Sequence, residues 1–283
     1  MKNQTVLITG ANAGIGFEIT KGVLLKNNTA IMVCRNREKA MNARKKLIDL
    51  TKNNKVHIII ADLTQFSDLR HIADEVNEKF DTIDVLIHNA GSFYSKWLLN
   101  DANIELTFMV NHVTPFYLSH LLLPQLIKSE DAKIITINSD SHFLAKLRID
   151  NLNLKNKFQG LRAYGHSKLA NVMFTYHFEK INPYDNLTIY AVHPGLVNTD
   201  IGIKNTNWLF SLIWNWRSKQ GKTPEQGAET ALFITHSPGT NLESGRYWDH
   251  NQPKKSSTAS YDEAMAERLW KKSKDLCGIV NYF

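Results

Sequence analysis

Short apolar runs alternate with longer amphipathic stretches along most of the chain. The apolar runs predict strands at residues 5–9, 30–34, 56–60, 83–88, 133–138, 187–193 and 245–249. Most of them are apolar at successive positions, which is typical of parallel strands that are buried on both faces. The stretches between them predict helices over 14–26, 37–51, 67–79, 103–129, 162–181, 225–236 and 261–275. This alternation indicates a doubly wound parallel sheet with helices on both sides.

A glycine-rich segment, TGANAGIGFE, joins the first predicted strand to the first predicted helix. Such a turn lets the backbone approach a pyrophosphate, and the helix N-terminus adds N–H groups and a positive dipole end. The alternative is a plain structural turn. The candidate cofactor-binding residues here are Gly10, Asn12, Ala13, Gly14, Ile15 and Gly16. With the strand pattern, this turn predicts an α/β, single-domain Rossmann fold over 1–283, with about seven strands.

Charge and cysteine content narrow the classes of function. The formal net charge of +7 suits an anionic cofactor or a membrane surface. Nucleic acid is not an expected partner, because the chain has no run of five or more Lys or Arg. Cys34 and Cys277 fit no metal-binding spacing, so no metal site is predicted. There is no signal peptide and no apolar run of 18 residues, so we expect a soluble, cytoplasmic protein.

The glycine spacing reads TGxxxGxG, not GxGxxG and not the P-loop GxxxxGK. It resembles the short-chain dehydrogenase/reductase superfamily of nicotinamide-dependent oxidoreductases. The resemblance extends from residue 5 to about 278. Two later segments, KTPEQGA at 222–228 and RLWKKSKDLCG at 268–278, resemble the retinol dehydrogenase-like branch.

The end of the second strand favours NADP(H) over NAD(H). An acidic residue there would accept hydrogen bonds from the ribose 2′-OH of NAD, but this chain has Arg35 and Asn36 instead. Arg35 can bind a 2′-phosphate with two parallel hydrogen bonds, and Arg37 is a plausible helper. The alternative is that Arg35 only ends the strand.

The resemblance assigns further cofactor contacts to the ends of later strands. Asp62 would accept a hydrogen bond from the adenine amino group, and the Leu63 N–H would meet the ring. Asn89, Ala90 and Gly91 would line the adenine ribose and steady the sheet. His88 stands where the family more often has a second Asn, and we expect no catalytic role for it.

The segment HPGLVNTD, after the sixth strand, matches the family's nicotinamide-binding turn. Pro194 and Gly195 would let the nicotinamide lie close to the backbone. The Val197 N–H and Thr199 would bind its carboxamide.

The family catalyses proton transfer with Ser, Tyr and Lys and has an Asn as a fourth member. These roles fall on Ser139, Tyr164, Lys168 and Asn111, with Ser141 as a weaker candidate for the serine. The long interval between Ser139 and Tyr164 again resembles the retinol dehydrogenase-like branch. Tyr164 and Lys168 would also contact the cofactor, with Lys168 binding the nicotinamide ribose hydroxyls. Asn111 would hold a water that links Lys168 to solvent.

A second tyrosine–lysine pair has the same spacing. Tyr176 and Lys180 repeat the interval of Tyr164 and Lys168, and both pairs share a helix face. Tyr176 lies roughly 18 Å further along the predicted helix, so it cannot serve the same site. We predict a surface pair or the edge of the core for it.

The chemistry follows from the first pair. A free phenol has a pKa near 10, and a nearby ammonium together with an oxidised nicotinamide would lower it by roughly one to three units. Tyr164 would then exchange a proton with the substrate oxygen, and Ser139 would hydrogen-bond that oxygen.

The substrate would be a small apolar alcohol, aldehyde or ketone. A substrate-loop region is predicted at about 196–224, where Trp and other apolar residues crowd positions 208–216. These residues could form a lid, a peripheral membrane contact or part of the core. Family members are often dimers or tetramers, so a homo-oligomer is an open alternative. The competing functions are a non-catalytic cofactor-binding protein and a sugar-nucleotide epimerase, whose glycine spacing differs.

Overall fold

The computed structural model describes residues 3–156, 158–197 and 221–283. In the first half, strands alternate with helices as predicted. The order is β1 (Thr5–Thr9), α1 (Gly14–Leu25), β2 (Thr29–Cys34), α2 (Arg37–Thr51), β3 (Val56–Ile60), α3 (Phe66–Lys79) and β4 (Val85–His88).

The second half continues the alternation. It contains α4 (Leu106–Phe108), a π-helical turn (Met109–Val113), α5 (Thr114–Leu121), α6 (Leu123–Leu126), β5 (Ala132–Ile137), α7 (Gly160–Ile181), β6 (Leu187–Val192), α8 (Pro224–His236), β7 (Arg246–Asp249), β8 (Gln252–Pro253) and α9 (Glu263–Cys277).

The strands form one sheet in the order β3-β2-β1-β4-β5-β6-β7-β8. All neighbouring strands are parallel except β7 and β8, which pair as a short antiparallel ribbon. The described sheet thus has eight strands. The prediction of about seven missed β8, because two residues are too short to form a recognisable apolar run.

Helices cover both faces of this sheet. One apolar cluster packs α3, α5, α7 and α9 against it. A second cluster packs α1, α2 and α8 on the opposite face. The α/β Rossmann-type architecture predicted from the alternation is therefore confirmed.

The predicted helix over 103–129 is wrong in its bounds and its continuity. Glu105 starts the helix, because its carboxylate accepts hydrogen bonds from the N–H groups of Thr107 and Phe108 at 2.9 Å each. The helix then widens into the π turn and breaks at Leu122, before Pro124. Its last segment ends at Leu126.

No helix in the described part of the chain is both long enough and apolar enough to cross a bilayer. Within the same residues, no group of three or more His, Cys, Asp or Glu is arranged to hold a metal ion.

Candidate active site

The turn after β1 contains glycines that a larger residue cannot replace unless the surrounding atoms move. Gly10 and Gly14 have φ values of +66° and +55°, in the left-handed region that favours glycine. A Cβ on Gly16 would lie 2.3 Å from the Gly10 carbonyl oxygen and 2.4 Å from Nδ2 of Asn89. The turn therefore packs directly against the end of β4.

Asn89 and Ala90 hold this turn in place. The Asn89 amide donates to the carbonyl oxygens of Thr9, at 2.8 Å, and Gly10, at 3.2 Å. The Ala90 N–H donates to Oγ1 of Thr9 at 3.0 Å. The predicted role of this segment in steadying the sheet thus has a direct structural counterpart.

The first turn of α1 is open to an anion. Ala13 precedes the helix in an extended conformation, and no side chain caps the N–H groups of the first turn. Such N–H groups, with the positive end of the helix dipole, bind phosphate. Asn12, Ala13, Gly14 and Ile15 surround this end of α1.

At the end of β2, Arg35 extends into solvent, with 69% of its side chain exposed. Its Nη1 lies 4.0 Å from Oδ2 of Asp62, at the end of β3. The two residues thus face each other across the neighbouring strands. Asn36 instead caps α2, because its Oδ1 accepts from the Lys39 N–H at 2.8 Å.

Asp62 and Leu63 are tied into local structure. Oδ1 of Asp62 accepts from the N–H of Thr64 at 3.0 Å and from its hydroxyl at 2.9 Å. The Leu63 carbonyl accepts from the Thr114 hydroxyl at 2.7 Å.

The catalytic candidates meet at the carboxyl ends of β4 and β5. Ser139 follows β5, and Tyr164 lies near the start of α7. The Ser139 hydroxyl lies close enough to the Tyr164 phenol to influence its pKa. The Phe93 ring packs edge-on against Tyr164, with the centroids 6.2 Å apart. Ser141, the weaker candidate, is also adjacent, since its Oγ lies 3.1 Å from that of Ser139.

Lys168 lies one helical turn beyond Tyr164 and is buried. Its Nζ donates to the Ile137 carbonyl at 2.8 Å and lies 5.6 Å from the centroid of the Tyr164 ring. Burial lowers the pKa of Lys168 to about 8.

In the protein alone, the pKa of the Tyr164 phenol lies above its ordinary value. Burial raises the pKa of Tyr164 to about 12, although the nearby Ser139 side chain lowers it in part. The protein's own groups therefore keep the phenol protonated at neutral pH. The reason is that loss of hydration, which disfavours the charged phenolate, outweighs the effect of Ser139.

Asn111 is buried in the π turn. Its side chain accepts from the Ser92 N–H at 2.7 Å and donates to the Ser92 carbonyl and to Oγ of Ser167, each at 3.0 Å. A Cβ on Gly91 would lie 3.7 Å from Oδ1 of Asn111 and 3.9 Å from Nζ of Lys168. Asn111 and Lys168 thus lie on either side of Gly91.

The segment after β6 reaches the same edge of the sheet. Gly195 has a φ of +82°, and the Lys222 side chain lies across its Cα. A Cβ on Gly227 would lie 2.7 Å from Cγ2 of Val197 and 3.3 Å from Cγ1 of Ile15. This contact region joins the Pro194–Val197 segment to the glycine turn.

One edge of the sheet thus combines a glycine turn, an uncapped helix end and a Ser/Tyr/Lys/Asn cluster. A family model described as short chain dehydrogenase matches residues 4–209. The chain belongs to this family.

Relatives place this short-chain dehydrogenase in the retinol dehydrogenase-like branch. It is 32% identical to retinol dehydrogenase 12 of Mus musculus over 98% of this chain and 87% of the relative. It is 31% identical to retinol dehydrogenase 11 of Homo sapiens, over 99% and 87%. Dehydrogenase/reductase SDR family member 13 of Bos taurus is 32% identical, over 99% of this chain and 74% of the relative.

Solved structures share the fold. An uncharacterized protein from Mycobacterium Paratuberculosis has a TM-score of 0.75 and 27% identity, covering 98% of this chain and 94% of that one. A short chain dehydrogenase from Escherichia coli CFT073, complexed with NADPH, has a TM-score of 0.68 and 20% identity, covering 88% and 97%.

The second tyrosine–lysine pair of this short-chain dehydrogenase lies apart from the site. Tyr176 bonds Oγ of Ser256 at 2.6 Å, and Lys180 pairs with Glu263 at 2.6 Å. His88 is buried and hydrogen-bonds Ser119 at 2.8 Å, with a pKa lowered to about 3 by burial. Each of these side chains thus bonds to a partner other than Ser139 and Tyr164.

Thr199 and residues 208–216 lie outside the described residues. Sequence reasoning missed two neighbours of Ser139, Asp140 and His142. The only signal for them was the segment IITINSDSH at 134–142, where both titratable residues lie within three positions of the serine.

Proposed function

We propose that this chain is an NADP(H)-dependent oxidoreductase that interconverts an apolar alcohol and its aldehyde or ketone. The observation that carries the proposal is the proximity of Ser139 to Tyr164, with Lys168 one turn away, at the same sheet edge as the glycine turn. The retinol dehydrogenases among its relatives support this class of substrate.

The residues at this edge fit a nicotinamide dinucleotide. The first turn of α1 lacks a side-chain cap, and a Cβ on Gly16 would fill the space where the turn meets β4. Arg35, without a carboxylate at the end of its own strand, supports a 2′-phosphate and hence NADP(H) over NAD(H). When bound, such a cofactor supplies or accepts the hydride.

The protein's own groups handle the proton. Because burial keeps the Tyr164 phenol protonated at neutral pH, it is ready to donate to a carbonyl oxygen. The Ser139 hydroxyl would hydrogen-bond the same oxygen and stabilise the charge that develops on it. In the opposite direction, the phenol must lose its proton first, which requires positive charge beside it from Lys168 and the oxidised ring.

Turnover by purified protein tests the proposal. We expect NADPH to be consumed with a panel of apolar aldehydes, measured by absorbance at the nicotinamide band. Tyr164→Phe should reduce kcat by about 100-fold or more, since a positioned acid contributes about that factor, and should leave NADPH binding intact.

Tyr176→Phe is the matched control, because it removes a phenol hydroxyl from the same helix outside the site. Full activity of Tyr164→Phe would refute the assignment. NADPH binding without turnover on any carbonyl would favour the non-catalytic alternative.

A further inference from the structure

Few hydrogen bonds fix the orientation of the Ser139 side chain next to Tyr164. Its Oγ donates to Oγ of Ser141 at 3.1 Å and accepts from the Ser141 N–H at 3.2 Å. Both bonds lie within the short helical turn Asp140–Leu144, which Ser139 begins. This turn must therefore be held from outside if the hydroxyl is to face Tyr164.

His142 provides one such attachment. It is fully buried, and its Nδ1 lies 2.7 Å from the Ser139 carbonyl oxygen. Its Nε2 accepts a hydrogen bond of 3.1 Å from the backbone N–H of Ser257. Because a backbone N–H can only donate, Nε2 is unprotonated and Nδ1 carries the proton. The neutral ring thus ties Ser139 to the C-terminal part of the chain.

Asp140 provides a second attachment on the other side of the serine. Its Oδ1 accepts from the Tyr247 hydroxyl at 2.9 Å, and its Oδ2 lies 3.2 Å from Nζ of Lys254. Nε2 of His193 lies 3.5 Å from the same carboxylate. Burial tends to raise the pKa of Asp140, but His193, Tyr247 and Lys254 together hold it below its usual value. The carboxylate is therefore ionised and bonded to Tyr247 on β7 and to Lys254, which directly follows β8.

We propose that Asp140 and His142 are positioning residues, which hold the Ser139 hydroxyl against the Tyr164 phenol by fastening it to β7, β8 and Ser257. This inference rests on the proposed function. Neither residue is within hydrogen-bond distance of Tyr164 in the described part of the chain, so both act through Ser139. A displacement of the serine by about 1 Å would cost up to about 100-fold in rate.

Two amide variants of His142 separate its two bonds. In His142→Asn the amide nitrogen can take the place of Nδ1 and keep the bond to the Ser139 carbonyl. In His142→Gln the amide reaches the place of Nε2 and keeps the bond to Ser257, but loses the donor to Ser139. We expect His142→Asn to keep most of the wild-type kcat and His142→Gln to lose about 10- to 100-fold, with the KM for NADPH unchanged in both.

Asp140 is tested in the same way. Asp140→Asn keeps an acceptor for the Tyr247 hydroxyl and should keep more of the kcat than Asp140→Ala does. Tyr176→Phe is the matched control, because it removes a hydrogen bond to Ser256, next to Ser257, without touching the serine turn. It should leave kcat unchanged.

Equal kcat values for wild type, His142→Gln and Asp140→Ala would overturn the proposal while leaving the oxidoreductase assignment intact, provided Tyr164→Phe abolishes turnover. If the wild type itself has no turnover, the assignment fails, and crystal structures decide the positioning role. They should show the Ser139 hydroxyl in its wild-type position beside Tyr164 in His142→Asn and displaced from it in His142→Gln; an unchanged position in both would refute positioning.

Discussion

Burial moves the pKa values of the two central side chains in opposite directions. It raises that of Tyr164 to about 12 and lowers that of Lys168 to about 8, because it disfavours whichever form is charged. At neutral pH the Tyr164 phenol is therefore neutral, whereas the Lys168 amine still keeps most of its positive charge. A charged cofactor would have to shift this balance for oxidation of an alcohol.

The lowered pKa of Lys168 predicts a pH-dependent cost to stability. In the unfolded chain Lys168 keeps a pKa near 10.5, so between pH 8 and 10.5 the unfolded state binds more protons and folding stability rises with pH. The Lys168→Met variant lacks this titration. The free energy of unfolding of Lys168→Met minus that of the wild type should therefore be about 2 to 3 kcal/mol larger at pH 7 than at pH 10.

Urea unfolding of both proteins at the two pH values measures this difference. Lys180→Met, which removes an exposed lysine from the same helix, is the control and should lack this trend. A Lys168→Met difference that does not change with pH would contradict the expectation.

The cofactor preference is also a property of single residues. Arg35→Ser should raise the KM for NADPH by about 10- to 100-fold, because a charge-assisted hydrogen bond to phosphate is lost, and should leave that for NADH little changed. Arg37→Ser is the comparison variant and should have the smaller effect. Equal losses for the two cofactors would mean that Arg35 does not read the 2′-phosphate.

At this scale the sequence predicted that Ser139, Tyr164 and Lys168 lie together at the edge of the sheet, but it did not predict the side chains around them. Tyr164 could be distinguished from Tyr176 by its interval from Ser139 and by its position at the start of a helix. Both features can be read from local periodicity in the sequence. The attachments of His142 could not be predicted, because its partner Ser257 is distant in sequence and contributes only a backbone N–H. The raised pKa of Tyr164 depends on burial, which no spacing reveals.

Among the elements, the glycine turn was predictable because its conformation requires particular residues. Positive φ at Gly10 and close packing at Gly16 both demand the absence of a side chain. The break in the predicted helix 103–129 was not predictable from periodicity. It depends on the Glu105 cap and on Asn111, whose π turn is held by contacts to Ser92 and Asn171.

The glycine turn predicts the effect of one added methyl group. In Gly16→Ala the Cβ would collide with the Gly10 carbonyl and the Asn89 amide, so the turn must open. We expect NADPH affinity to fall by about 10- to 100-fold, measured by titration of nicotinamide fluorescence. Gly22→Ala on the same helix meets only the flexible end of Leu232 and should keep its affinity.

At the scale of the whole molecule, the C-terminal residues complete the core on one face of the sheet. Tyr282 is buried, with ring centroids 4.5 Å from Trp270 and 4.8 Å from Phe116. Its hydroxyl donates to the Phe116 carbonyl at 2.8 Å, and its own carbonyl lies 2.9 Å from Nδ1 of His120. The tail thus joins α5 to α9.

We expect Tyr282→Ala to lower the free energy of unfolding by about 3 to 5 kcal/mol, because it empties an aromatic site in the core. Tyr282→Phe should cost only about 1 kcal/mol, for the single hydrogen bond. Chemical denaturation measures both values. If Tyr282→Ala and the wild type had similar stability, the packing of Tyr282 would not contribute to the stability of the core.

The two outer strands of the sheet limit how copies of the chain can associate. On one side, β8 consists of two residues and ends in Pro253, which has no N–H to offer. On the other, Nε of Arg44 already occupies the Val56 carbonyl of β3 at 2.9 Å. Pairing of an edge strand with the edge strand of another molecule is therefore disfavoured at both edges of the sheet, which protects against aggregation. Any homo-oligomer should accordingly assemble through helical surfaces.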